Sequence, residues 1–118
     1  GKNELFFSKD NVTPSLTNID ASFSTVISVS TIDTIIKKVG VPQLIKLDVE
    51  GAESRVLKGS AELLNSNNKV IWVIEIHDLS NEKQCIKILM HSGYSIKKIR
   101  PIYKESSRYP FHILANNL

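Results

Sequence analysis

Two groups of acidic residues stand out because each follows an apolar segment of the kind that forms a buried strand. Asp48 follows the run LIKL, and Glu50 stands immediately before Gly51. Glu75 and His77 end the run VIWVIEIH, and their spacing of two places them on the same side of a strand. Open α/β sheets bind ligands at the carboxyl ends of their strands. The sequence therefore predicts a pocket of carboxylates with one imidazole.

The residue types leave three chemical uses of this pocket open. His77 can act as a general base toward a hydroxyl nucleophile, because imidazole is the side chain that changes charge near neutral pH. The carboxylates of Asp48, Glu50 and Glu75 can hold a divalent cation, but no HxH or CxxC spacing supports one, and no metal ligands are assigned. The pocket can also bind the positive centre of a sulfonium cofactor. The structural alternative is that acids at strand ends only cap the helices that follow.

Alternating strand and helix patterns would position these side chains. Strands are predicted at residues 4–7, 25–30, 43–49, 69–77, 94–99 and 111–115. The five consecutive apolar residues from Val70 to Ile74 indicate a central strand that is covered on both faces. The alternation predicts an α/β fold with a parallel sheet, and the last two strands, which no helix separates, should be antiparallel.

Helices are predicted between these strands. The first begins at Thr31 and the last at Ser80, and shorter helical segments cover residues 52–57 and 61–64. Apolar residues at helical spacing define an inward face on the first and the last helix: Ile32, Ile35, Ile36 and Val39 on the first, and Cys85, Ile86, Leu89 and Met90 on the last.

Length and composition restrict the remaining function classes. The 118 residues allow one small domain, with a loop-rich lead-in over residues 1–24 and an α/β core over residues 25–118. The content of 42% hydrophobic and 23% charged residues is typical of a globular protein, and no apolar run reaches the ~20 residues that span a bilayer. Cys85 is the one cysteine and cannot form an internal disulfide, so we expect a cytoplasmic protein.

The run IKLDVEGAE at residues 45–53, followed by VLKGSAELL at 56–64, resembles the hallmark of FkbM-type methyltransferases. Flanking segments fit in order: VSTIDTII at 29–36, VIWVIEIH at 70–77 and HSGYSIKKI at 91–99. The resemblance implies a Rossmann-like class I methyltransferase sheet with the strand order 3-2-1-4-5-7-6. This chain would carry strands 4-5-7-6 in three αβα layers, with the last strand antiparallel.

The resemblance also implies a function, which is methyl transfer from S-adenosylmethionine to a hydroxyl of a sugar, polyketide or other natural product. Asp48, Glu50, Glu75 and His77 would then be catalytic residues beside the sulfonium and the acceptor oxygen. Asp48 and Gly51 would contact the cofactor. The expected partner is a small-molecule or glycan acceptor, and neither a nucleic acid nor a membrane is expected.

One departure from the family pattern limits the predicted methyltransferase function. The glycine-rich turn D-x-G-x-x-x-G and the acidic ribose-binding residue do not occur in the chain, and both would precede Gly1. We therefore expect the C-terminal part of a methyltransferase domain, which is inactive by itself because the missing N-terminal half binds most of the cofactor.

Two other readings remain open. The first is a non-catalytic, degenerate methyltransferase-like module that forms a homodimer through the exposed edge of the strand at residues 43–49. The second is a nucleic-acid binder, disfavoured because a basic cluster of this kind is more often a solvated strand face and loop. The cluster comprises Lys97, Lys98, Arg100, Lys104 and Arg108.

Overall fold

A computed structural model describes the backbone of residues 1–7, 23–100 and 108–118, and the side chains of residues 1–2, 24–100 and 108–118. Most of the predicted loops over residues 8–24 and 101–110 lies outside these ranges, and so does Lys104 of the basic cluster. The chain divides into two compact units, Gly1–Ser30 and Thr31–Leu118.

The first unit contains a pair of antiparallel strands, β1 (Lys2–Phe7) and β2 (Phe23–Ser28). Next to this pair, Val29 N–H donates to the Gly1 carbonyl at 2.8 Å, and the Gly1 amino group donates to the Val29 carbonyl at 3.0 Å. The alternation in the sequence suggested that the strand near Thr25 opens the α/β sheet. In the structure it pairs with β1 instead, and the backbone groups of the two strands that face each other are paired without a crossover helix.

The second unit contains a mixed four-stranded sheet with the order β3-β4-β6-β5, in which β3 and β4 are parallel and β6 is antiparallel to both β4 and β5. Its elements are α1 (Ile32–Val39), β3 (Leu44–Leu47), α2 (Glu53–Lys58), α3 (Ala61–Leu64), β4 (Ile71–Ile76), α4 (Leu79–His91), β5 (Ser95–Ile99) and β6 (Phe111–Asn116). The antiparallel pairing of the last two strands is confirmed. The sheet is consistent with part of a methyltransferase fold, and the family's strand numbers and layers stay a prediction.

The core lies against one face of this sheet. Trp72, Ile74 and Ile76 of β4 are fully buried, and their partners Ala115, Ile113 and Phe111 of β6 are buried beside them. Leu57 of α2, Leu63 and Leu64 of α3, and Cys85 and Leu89 of α4 complete the cluster. The alternate residues of β4, including Ile71 and Val73, are partly buried, and coverage of both faces of β4 stays a prediction.

The helix ends and faces differ from the sequence expectation in three places. The last helix begins at Leu79 and not at Ser80, because the Asp78 side chain caps it by accepting a hydrogen bond from Asn81 N–H at 2.8 Å. Met90 is 63% exposed, and Ile35 and Val39 of α1 are also exposed, so neither predicted apolar face is wholly inward. None of the described helices is long and apolar enough to cross a membrane.

Candidate functional site

The acidic residues after β3 lie on a tight turn into α2. Asp48 follows the strand directly, and Glu50 has a φ of +51°, a left-handed conformation that is uncommon for a residue with a side chain. Gly51 follows with a φ of +96°. An added Cβ at Gly51 would come no closer than 3.8 Å to another side chain, so the positive φ rather than lack of space favours glycine there.

His77 lies at the centre of a group of carboxylates at the carboxyl ends of β3 and β4. Its Nε2 atom is 3.5 Å from Glu50 Oε2, 3.7 Å from Asp48 Oδ1 and 3.9 Å from Glu75 Oε2. The side chains of His77 and Glu75 are each 20% exposed, whereas those of Asp48 and Glu50 are 36% and 43% exposed. The structure thus brings together all four side chains that the sequence analysis named as catalytic, and their catalytic role stays a prediction.

A fifth carboxylate, which the sequence analysis did not select, lies on the other side of the imidazole. Glu53 begins α2 and is completely buried, and its Oε1 atom lies 3.0 Å from His77 Nδ1. The same oxygen accepts a hydrogen bond from Gly51 N–H at 3.0 Å, while Oε2 has no hydrogen-bond partner in the described part of the chain. Leaving a buried polar atom unpaired costs free energy, so this carboxylate is held at a cost to stability.

The second strand supplies a carboxyl group with a perturbed pKa. Burial raises the pKa of Glu75 above its usual range. A hydrogen bond between the Glu75 carboxyl and Asp48, which accepts it, and the negative charge of Asp48 raise this pKa further. The positive charge that His77 and His112 can carry acts in the opposite direction. Glu75 therefore has a raised pKa, and perturbed pKa values are frequent at functional sites.

Asn81 of α4 connects the turn after β3 to the start of α4. Its Nδ2 atom donates to the Gly51 carbonyl at 2.7 Å and to Asp78 Oδ2 at 2.9 Å, and its Oδ1 atom accepts from Ser54 N–H at 3.1 Å. Hydrogen bonds from Asn81, first from its backbone N–H and then from its side-chain amide, hold the pKa of Asp78 below its usual value. Asp78 thus fits the structural alternative, in which an acid at a strand end only caps the helix that follows. The Gly51 N–H and carbonyl are both engaged within the fold, and the contact of Gly51 with a cofactor stays a prediction.

Three side chains of this cluster are close enough together to be candidate ligands of a divalent cation. Asp48, Glu50 and His77 each offer one ligand atom, and these three atoms lie within 4.8 Å of one another. Ligands at ~2.1 Å from a tetrahedral metal are about 3.4 Å apart, close to the separations of Nε2 from Glu50 and Asp48. Two of the three side chains are exposed acids, a common feature of protein surfaces without a metal.

The basic cluster is largely paired within the fold. Lys98 Nζ lies 2.6 Å from Glu82 Oε1, and Arg108 Nη2 lies 3.5 Å from Glu82 Oε2. The Arg100 guanidinium stacks 4.3 Å from the centre of the Phe111 ring. Glu82 is buried, and its pKa is lowered first by the hydrogen bond from Lys98 and then by that from Tyr109.

Comparison with known proteins gives the family. Residues 3–111 match the family model of the methyltransferase FkbM domain. The chain belongs to the FkbM methyltransferase family. No curated protein and no solved structure matches it. The match includes residues 25–99, where the resemblance was strongest, and the segments ELFFSKDN and PSLTN before them, where it was weaker, and it suggests methyltransferase activity.

Sequence reasoning missed Glu53 and Asn81 for different reasons. Glu53 is an acid in the first turn of a helix, where a carboxylate commonly stabilises the helix dipole on an exposed surface. The available signal was its place in the family motif, four residues before Leu57, which is fully buried. Asn81 belongs to a polar stretch at the start of α4, and no local pattern distinguishes it from its neighbours.

Proposed function

We propose that this chain forms the acceptor side of an O-methyltransferase pocket that uses S-adenosylmethionine and methylates a hydroxyl of a sugar, polyketide or other natural product. The observation that carries the proposal is the imidazole of His77 within 3.5–3.9 Å of three carboxylates, at the carboxyl ends of two parallel strands, in a chain of the FkbM family. Ligands bind at this edge of open α/β sheets.

In this mechanism His77 Nε2 accepts the proton of the acceptor hydroxyl while the oxygen bonds to the methyl carbon. When bound, S-adenosylmethionine would supply this methyl group and keep the bonding electron pair on its sulfur. The side chains of Asp48 and Glu50 contribute negative charge that favours the imidazolium formed at His77, and Glu75 adds to this charge when it is ionised. Asp48 and Glu50 are exposed enough to hydrogen bond to other hydroxyls of a polar acceptor and position it.

The cofactor would approach the turn at Asp48 and Gly51, the two residues that the family resemblance assigns to cofactor contact. The sequence of 118 residues has no D-x-G-x-x-x-G turn, which in the family supplies the main contacts to the cofactor. We therefore expect the 118-residue chain alone to bind S-adenosylmethionine negligibly and to have no activity. Calorimetric titration tests this, and micromolar affinity of the isolated chain would contradict it.

The catalytic proposal is tested in the full-length protein by measuring S-adenosylhomocysteine formation with a panel of sugar and polyketide hydroxyl acceptors. General acid–base catalysis contributes about 10²–10⁴-fold to rates, so we expect His77→Ala to lower turnover by about that factor. Asp48→Asn should also lower turnover, with little change in melting temperature because Asp48 is partly exposed.

The matched control is Glu62→Gln, which removes an exposed carboxylate of α3 that pairs with Lys37 at 2.9 Å and lies outside the cluster. This variant should retain the turnover of the unchanged protein. Full turnover of His77→Ala and Asp48→Asn, or a loss of folded protein that accounts for the lower rates, would refute the catalytic roles.

A second candidate function is supported by the exposed edge of the sheet. Within the described residues β3 pairs only with β4, and Leu44 of β3 is 54% exposed. An unpaired apolar edge favours pairing with another chain. In this alternative the chain is a non-catalytic module that dimerises through β3. Light scattering at increasing concentration tests it, and a Leu44→Lys variant should shift the equilibrium toward monomer.

A further inference from the structure

We infer that Glu53 is a positioning residue that fixes His77 as the tautomer with its proton on Nδ1, so that the Nε2 lone pair faces the carboxylates of Asp48, Glu50 and Glu75. The tautomer follows from contacts in the structure alone. Its catalytic consequence, a free lone pair for the acceptor hydroxyl, rests on the proposed function.

The Glu53 carboxylate is held in one orientation by a donor outside the imidazole. Gly51 N–H donates to Oε1 at 3.0 Å, which defines this oxygen as an acceptor. His77 Nδ1 lies 3.0 Å from the same oxygen. An acceptor at this distance is matched by an N–H on Nδ1, since a lone pair there would face the lone pairs of Oε1.

The competing contacts of the imidazole are weaker. Nε2 is 3.5–3.9 Å from the oxygens of Glu50, Asp48 and Glu75, beyond the 2.7–3.2 Å of an N–H···O hydrogen bond. Asp48 and Glu50 are also 36% and 43% exposed, so water screens them, whereas Glu53 is fully buried. Distance and burial both favour the proton on Nδ1.

The unpaired oxygen supports a role beyond folding. Glu53 Oε2 is buried without a hydrogen-bond partner in the described residues, so an apolar side chain of the same length would avoid that cost. A buried acid that orients an imidazole through Nδ1 is a known physical arrangement for holding a base in the reactive tautomer.

The tautomer is read directly by nuclear magnetic resonance. Long-range ¹H–¹⁵N spectra of the ¹⁵N-labelled 118-residue chain distinguish a proton on Nδ1 from one on Nε2, and His77→Ala assigns the signal. The spectra are recorded over a pH series, and the tautomer is taken from the neutral imidazole. We expect the Nδ1–H form to exceed the Nε2–H form by at least about tenfold, as for a hydrogen bond to a charged group.

Two variants separate positioning from packing. Glu53→Met keeps the length of the side chain without an acceptor, so the proton should move to Nε2, where the nearby carboxylates attract it. Glu53→Gln should retain the Nδ1–H form, because Gly51 N–H requires the amide oxygen at the Oε1 position and that oxygen also faces Nδ1. His91, in the last turn of α4, serves as an internal control whose signals should not change.

The inference is overturned if the unchanged chain shows the Nε2–H form or an imidazolium at every pH, or if Glu53→Met keeps the proton on Nδ1. Failure of Glu53→Gln to keep it there would overturn it equally. None of these measurements needs a cofactor or an acceptor. Absence of methyltransferase activity in the full-length protein would refute the proposed function, whereas the spectra of the 118-residue chain would still decide the tautomer of His77.

Discussion

The contact between Glu53 and His77 should appear as a coupling energy in the stability of the chain. The perturbation is a double-mutant cycle that combines His77→Ala with Glu53→Met. Each single variant removes one partner of the bond between Oε1 and Nδ1, and the double variant removes both. The cycle isolates this contact because other effects of each substitution cancel when the sites act independently.

The magnitude follows from distance and burial. At 3.0 Å, with Glu53 fully buried and His77 20% exposed, the contact is a hydrogen bond to a buried charged group, which contributes about 1.5–3 kcal/mol. We expect a coupling of ~2 kcal/mol, or about 30-fold in the unfolding equilibrium. The control cycle pairs His77→Ala with Glu50→Gln. That contact spans 3.5 Å and Glu50 is 43% exposed, so its coupling should be about 0.2–1 kcal/mol.

Urea denaturation of the four proteins of each cycle, followed by tryptophan fluorescence from the single Trp72, provides the free energies of unfolding. If the free energy of unfolding falls with urea concentration at the same slope for all four proteins of a cycle, the variants unfold in the same way. A Glu53–His77 coupling below about 0.5 kcal/mol, or one no larger than that of the Glu50 control, would refute the reasoning from burial.

Three further predictions concern other parts of the chain. Asp33 accepts hydrogen bonds from the N–H groups of Glu62 at 2.9 Å and Leu63 at 3.0 Å, and so caps α3, whose own Ser60 makes no capping bond. Asp33→Ala should therefore lower the free energy of unfolding by about 1–2 kcal/mol in urea titrations, and an unchanged midpoint would contradict this. For Glu75, burial and the Asp48 carboxylate raise the pKa, so its contribution to stability is present at low pH and is lost as pH rises through that pKa. Glu75→Gln should match the unchanged chain at about pH 4 and have the higher melting temperature at about pH 8, and the opposite order would show that ionised Glu75 stabilises the fold. Burial raises the pKa of Cys85 to about 12, so a thiol reagent should label it only as fast as the chain unfolds, and labelling at the rate of a free cysteine would show that the core opens locally.

Much of the second unit could be predicted from local pattern. The apolar run from Val70 to Ile74 predicted a buried strand, and Trp72 and Ile74 of that run are fully buried in β4. The joining of β5 to β6 without a helix predicts their antiparallel pairing, which is confirmed. The pairing of the first two strands could not be predicted from local pattern. The sequence around Thr25 has the composition of a strand, but composition does not state which partner the strand pairs with, and β2 pairs with β1.

The candidate site shows the same division. The sequence by itself determined that Asp48, Glu50, Glu75 and His77 end two strands, because the strand pattern and the acids that follow it are local properties. It also carried the family motif. Only the tertiary structure decided that Glu53 is buried and contacts His77, and that Met90, at helical spacing from Cys85 and Leu89, is exposed. The physical reason is that burial and hydrogen-bond partners depend on which distant segments pack together. Glu53 and His77 are 24 residues apart, and their contact exists only after β3 and β4 have paired.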